Sequence, residues 1–134
     1  MYLVEIFTHL TREYGYISEK SEFLNSAQSL SCISRALAYI DENLSEEITL
    51  DSLAKQAAMN KTYFSTVFKK FNGISPWEYI VIKRVEMAIS LLKTTDFKKL
   101  EIAERCGFNS ASNFYKTFKK VTGKTPEHYS KKRD

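Results

Sequence analysis

Residues 53–79 read LAKQAAMNKTYFSTVFKKFNGISPWEY, and residues 102–129 read IAERCGFNSASNFYKTFKKVTGKTPEHY. Laid over one another, they are one pattern written twice. Leu53-Ala54 matches Ile102-Ala103 at an offset of 49, as do Ala58 with Gly107 and Met59 with Phe108. After one inserted residue the offset becomes 50. It then pairs Phe64 with Phe114, Phe68 with Phe118, Lys69-Lys70 with Lys119-Lys120, Gly73 with Gly123, Pro76 with Pro126 and Tyr79 with Tyr129. So many matches in one order mark a duplicated supersecondary unit.

Each copy reads as short helix, turn, second helix, glycine stop and new helix. In the first, Ile48 and Leu53 flank Thr49 as a hydrophobic staple around an N-cap. Leu50, Leu53, Ala54 and Ala57 give the short helix an apolar face that ends near Met59. Asn60 caps the next helix, over 61–72, whose Phe64, Val67, Phe68 and Phe71 must face a core. Gly73 offers a left-handed stop. Ser75-Pro76-Trp77-Glu78 restarts the chain with a Ser cap, Pro at the first position and Glu at the third. The helix so begun carries Tyr79, Ile82, Val85, Ala88-Ile89 and Leu92 in one stripe as far as Thr94-Thr95-Asp96. In the second copy Ile102-Ala103 and Cys106 are the buried set, Gly107 makes the turn, and Phe114, Phe118 and Val121 face inward from a helix over 110–121. Gly123 and Thr125-Pro126 repeat the stop and restart, and a last short helix runs into Lys131-Lys132-Arg133. Upstream, Leu30, Ile33, Leu37, Ile40 and Leu44 form an amphipathic helix that packs on the first copy. Residues 1–17 hold a further candidate helix (Leu3, Ile6, Phe7, Leu10, Tyr14), and Gly15 to Asn25 reads as a linker.

The expected fold is therefore all-α: two helix-turn-helix subdomains joined by a long linker helix, about seven helices in total. The expected divisions are a helical extension over 1–28, a first subdomain over 29–74, the linker helix over 75–94 and a second subdomain over 95–134. Only four Gly and two Pro, with 43% apolar residues, suit such a fold.

Charge is unevenly placed. Residues 1–49 hold three Lys/Arg against eight Asp/Glu, a net of −5, whereas residues 50–134 hold seventeen against eight, a net of +9. That asymmetry points the later region at a polyanion. The faces opposite the two cores sharpen it. Helix 61–72 presents Lys61, Thr62, Ser65, Thr66 and Lys69 there; helix 110–121 presents Ser112, Tyr115, Lys116 and Lys119. Neither face has a carboxylate, which would be repelled by a phosphate-lined groove. Lys61, Lys69, Lys70, Asn109, Lys119 and Lys120 suit phosphate contact; Thr62, Ser65, Thr66, Ser112, Tyr115 and Lys116 suit contact with base edges. The short hydroxyl side chains discriminate weakly, so water bridges and DNA shape are expected to share in specificity.

These residues resemble the signature of the AraC/XylS family of transcription regulators: Ile102-Ala103, Gly107-Phe108, Phe114, Phe118-Lys119, Gly123, Pro126 and Tyr129, with Tyr79, Arg84, Ala88 and Leu91-Leu92 similar to its linker helix. The resemblance covers about residues 30–132. It implies a seven-helix DNA-binding domain whose two recognition helices enter successive major-groove segments, ~34 Å apart. It also implies transcriptional regulation, usually activation and often through RNA polymerase. Thr62, Ser65, Thr66, Ala111, Ser112, Tyr115 and Lys116 match the family's base-contacting positions. One departure is Lys99, which stands where the family usually has an apolar residue, with Leu100 one place later, so that helix is expected to start late or fray. Most members carry a sensing and dimerising domain upstream. Residues 1–17 are similar to its last helix, so the chain is expected to be the C-terminal piece of such a regulator, with a homodimer formed through that domain; the alternative is a naturally short regulator with an N-terminal helical extension.

The expected partner is double-stranded DNA, with no cofactor, no metal and no membrane. Cys32 and Cys106 form no CxxC pair and read as two buried thiols of a cytoplasmic protein. No catalytic set appears: His9 and His128 lie far apart, and neither a glycine-rich phosphate loop nor paired carboxylates are present. The competing reading is a helical protein-interaction module that has lost DNA binding, which salt-insensitive binding would favour.

Overall fold

The computed structural model describes residues 19–130, which are all-helical among themselves. Six α-helices run α1 (Glu19–Glu42), α2 (Leu50–Gln56), α3 (Lys61–Asn72), α4 (Pro76–Thr94), α5 (Lys99–Arg105) and α6 (Ala111–Thr122), followed by a 3-10 turn at Pro126–Tyr129. They form two compact units: residues 19–42 with Ile48–Glu78, and Asn43–Glu47 with 79–130. The expected helix at 1–17, His9 and Lys131-Lys132-Arg133 lie outside the described residues.

In the first unit α1 packs on α2 and α3. Ile33, Ala36, Leu37 and Ile40 bury one face of α1 against a core completed by Leu53, Ala54, Ala57, Phe64, Val67, Phe68 and Phe71. Phe64 and Phe68, four apart on one helix face, meet with ring centroids 5.6 Å apart. Thr49 caps α2 and shares a reciprocal capping box with Ser52, and Ile48 and Leu53 are both buried as the staple requires. The stretch expected to be a linker is instead helical from Glu19, so α1 is longer than its apolar repeat alone suggested. It also ends at Glu42, leaving Leu44 in the following turn. Leu50 was expected inside but is exposed, because Ile48, before the cap, takes the inward place at that end.

The second unit repeats the design with α4 in place of α1. Val85, Ala88 and Leu92 of α4 join Ile102, Ala103, Cys106, Phe108, Phe114 and Phe118 in one core. The buried stripe of α4 runs through Arg84, Ala88 and Leu92, four apart, and includes Ile80. Ile82 was expected on it, but lies on its flank and is 37% exposed. Val121, also expected inside, falls in the last turn of α6, past the aromatic core, and is 40% exposed. Cys32, expected buried, is half-exposed and accepts from Arg35 Nη2 at 3.1 Å. Only Cys106 is a buried thiol, and burial pushes it up to about 11, which leaves it little thiolate character.

The two helix-turn-helix corners are built by the same hydrogen bonds. Ala58 N–H donates to Lys55 C=O at 3.1 Å and Met59 N–H to Ala54 C=O at 2.9 Å. Gly107 N–H donates to Glu104 C=O at 3.1 Å and Phe108 N–H to Ala103 C=O at 2.9 Å. This paired closure is a Schellman motif, and it needs a left-handed residue. Gly107 supplies it with φ of 84°, and Ala58 with φ of 56°. The difference follows from surroundings. The buried Arg84 donates from Nε to Leu44 C=O at 3.1 Å and from Nη2 to Glu46 C=O at 2.9 Å, clamping the 43–47 segment beside Gly107. A Cβ at 107 would overlap the Leu44 carbonyl oxygen and lie 2.9 Å from Arg84 Nε. Ala58 is exposed and pays only the backbone cost.

Two substitutions test this. Gly107→Ala combines left-handed strain of about 1–2 kcal/mol with overpacking of about 1–3 kcal/mol, and urea denaturation should show a loss near their sum. Ala58→Gly should raise stability by up to about 1 kcal/mol. A destabilised Ala58→Gly variant, or a Gly107→Ala variant as stable as the parent, would contradict the assignment of these turns.

Candidate nucleic-acid interface

Helix α3 is bounded by strong signals at both ends. Asn60 is extended, and its side chain accepts from Tyr63 N–H at 2.9 Å. Gly73, left-handed, donates from N–H to Lys69 C=O at 2.7 Å. With Phe64, Val67, Phe68 and Phe71 buried, the opposite side is polar: Lys61, Thr62, Thr66, Lys69 and Lys70 are exposed and Ser65 is partly so. Helix α6 is built alike. Ser110 accepts from Asn113 N–H at 3.1 Å, Gly123 N–H donates to Lys119 C=O at 2.8 Å, and Phe114 and Phe118 are buried. Ser112, Lys116, Lys119 and Lys120 are exposed, as is Asn109 just before the cap, while Ala111 and Tyr115 are partly covered.

Neither helix has an acidic residue in its first turn, and each ends in two lysines. Beyond the capped Tyr63 and Asn113 N–H groups, no acidic side chain of either first turn offsets the positive dipole end, a setting that favours phosphate. Twelve residues make a rod of about 18 Å, and an α-helix of this kind fits the ~12 Å major groove of B-DNA.

The structure brings carboxylates to both faces from other elements, which the spacing within each helix concealed. Lys61 Nζ lies 3.4 Å from Asp51 of α2, both well exposed. Such a pair is worth about 0–1 kcal/mol and yields readily to a phosphate. On α6 the Tyr115 hydroxyl donates to Glu127 of the 3-10 turn. The Tyr115 ring lies edge-on to Phe114, with centroids 5.8 Å apart. Desolvation, and then the adjoining carboxylate, push Tyr115 up to about 12, and its hydroxyl holds Glu127 below the usual carboxylate range. Thr66 also uses its hydroxyl proton internally, donating to Thr62 C=O at 3.1 Å, which leaves its oxygen lone pairs to accept.

Sequence reasoning passed over Tyr63, which is 51% exposed on the first turn of α3. A large aromatic outside the apolar repeat was the available signal. The second short helix does not start late: α5 begins at Lys99, the counterpart of Leu50 at the offset of 49, although Lys98 before it makes no side-chain cap bond and Leu100 is exposed. His128 is exposed in the 3-10 turn, its ring edge-on to Tyr129. Among the described residues no group of three or more His, Cys, Asp and Glu side chains could hold a metal ion. No described helix is long and apolar enough to cross a membrane.

A family model described as a helix-turn-helix domain matches residues 53–132. The uncharacterized HTH-type transcriptional regulator YtdP of Bacillus subtilis (strain 168) is 34% identical over 113 residues, 84% of this chain. The melibiose operon regulatory protein of Escherichia coli (strain K12) is 33% identical over 99 residues, 74% of this chain. The chain spans 15% of the length of the first and 33% of the second. Among solved structures, the DNA-binding domain of AdpA, a global transcriptional factor crystallised with a target DNA, superposes with a TM-score of 0.69 at 31% identity. That match covers 72% of this chain and 87% of the other.

The caps give a direct check on how the two polar helices are held. Asn60→Ala and Ser110→Ala should each cost about 1 kcal/mol in chemical denaturation. Unchanged midpoints for both would show that these side chains do not organise the helix starts.

Proposed function

The chain belongs to the AraC/XylS family of transcription regulators, as part of its C-terminal DNA-binding domain, and from that premise we propose that it binds specific double-stranded DNA sequences to regulate transcription, with α3 and α6 as its readers. The observation that carries this reading is the repeated pairing of a buried phenylalanine face with a carboxylate-free first turn and two lysines in the last turn on both helices. The AdpA domain, similar over most of its length, was crystallised on a target DNA, which supports the same partner here.

Thr62, Ser65 and Thr66 of α3, and Ser112, Tyr115 and Lys116 of α6, are assigned to base edges. Lys61, Lys69, Lys70, Asn109, Lys119 and Lys120 are assigned to phosphates, Lys61 by exchanging Asp51 for the DNA backbone. The two helices enter adjacent major-groove segments. Activation through RNA polymerase, dimerisation through an upstream domain and a cytoplasmic location complete the proposal; they rest on the family relationship alone. The same relationship supports reading the chain as a regulator rather than an enzyme.

Fluorescence anisotropy on duplexes selected from a random pool tests the reading. Five lysines neutralising phosphates give a slope of log K against log salt of roughly −4 to −5. Lys116→Glu should weaken binding roughly ten- to a hundredfold while circular dichroism stays unchanged. Binding that ignores salt, or an unaffected Lys116→Glu variant, would contradict it.

A further inference from the structure

Glu127 occupies a telling place. Pro126, buried, anchors the 3-10 turn, and the next residue turns its carboxylate onto the hydroxyl of Tyr115 in the middle of α6. Tyr115 shares its helix face with Ser112 and Lys119, three and four residues away. The Phe114 ring beside it and the partial burial of the side chain limit its movement.

A tyrosine hydroxyl has one proton to give and lone pairs with which to accept. The carboxylate, an acceptor only when ionised, consumes that proton, and the Tyr115 hydroxyl holds Glu127 toward its ionised form. What Tyr115 can show a passing base is therefore acceptor capacity alone. In the major groove, only the exocyclic amino groups of adenine and cytosine donate; guanine N7 and O6 and thymine O4 accept.

We propose that Glu127 is a specificity-determining residue that acts through Tyr115, making it an acceptor-only reader that selects adenine or cytosine at one position of the α6 half-site. The inference rests on α6 lying in a major groove, as proposed above, and extends it by assigning a base class to one residue and a positioning role to a carboxylate outside the helix. Glu127 touches no base itself; it sets the direction of one hydrogen bond.

Glu127→Gln separates this from a structural role, because the amide keeps the shape but can donate to the Tyr115 oxygen and so free its proton. Sequencing duplexes bound from a random pool by the parent, Glu127→Gln and Tyr115→Phe proteins reads the effect. The parent should enrich adenine or cytosine at one position. Both variants should lose that enrichment at least fivefold there and keep the preferences elsewhere. An unchanged preference in Glu127→Gln overturns the proposal, as does a parent with no adenine or cytosine position that depends on Tyr115. Alkaline titration of isotope-labelled tyrosines by NMR reads the latch without DNA: Tyr115 should titrate at lower pH in Glu127→Gln than in the parent. An unmoved titration removes the latch while leaving the DNA reading intact. A parent that recovers no duplex, with the titration shifted as expected, defeats the DNA reading and this base assignment with it.

Discussion

One left-handed residue in each corner, Ala58 in one unit and Gly107 in the other, sets the direction in which each polar helix leaves the short helix before it. The Schellman closure around that residue satisfies the last carbonyls of the short helix and turns the chain within about three residues. Without the sharp turn, the phenylalanines at 64 and 68, or 114 and 118, could not return to the core that the short helix covers. Their burial decides by subtraction which side of α3 and α6 remains for a partner. Turn geometry therefore comes first, packing second and the polar face third.

The two corners also show why the same hydrogen-bond pattern tolerates different residues. A Cβ at Gly107 would meet the Leu44 carbonyl oxygen, and Arg84 binds two carbonyls of the 43–47 segment and holds that backbone against the turn. A buried guanidinium costs desolvation, and it is retained where its donors are met by backbone acceptors that would otherwise need partners. At Ala58 the corner is open, so a left-handed alanine is a local strain and not a clash.

Most of the fold was legible because its signals are local and repeated. Ile48, Thr49 and Leu53 marked one helix start, Gly73 and Gly123 marked two stops, and the Phe-x3-Phe spacing in each copy marked two inward faces. What escaped depended on partners distant in sequence. The burial of Arg84 follows from carbonyls some forty residues earlier. The exposure of Leu50, Ile82 and Val121 depends on where each core ends, which periodicity cannot see. The polar side of α3 and α6 was readable from spacing, but Asp51 and Glu127 reach those faces from other elements. Counting charges on a single helix therefore made both surfaces look freer of carboxylate than they are.

The central claim is that α3 and α6 both read the major groove of one duplex. Protection of guanine N7 from methylation on a selected binding site tests it most directly. Two separate clusters of protected guanines are expected, about one helical turn apart, one lost on altering Ser65 and Thr66 and the other on altering Ser112 and Lys116. A single cluster, or protection that none of these changes affects, would contradict it.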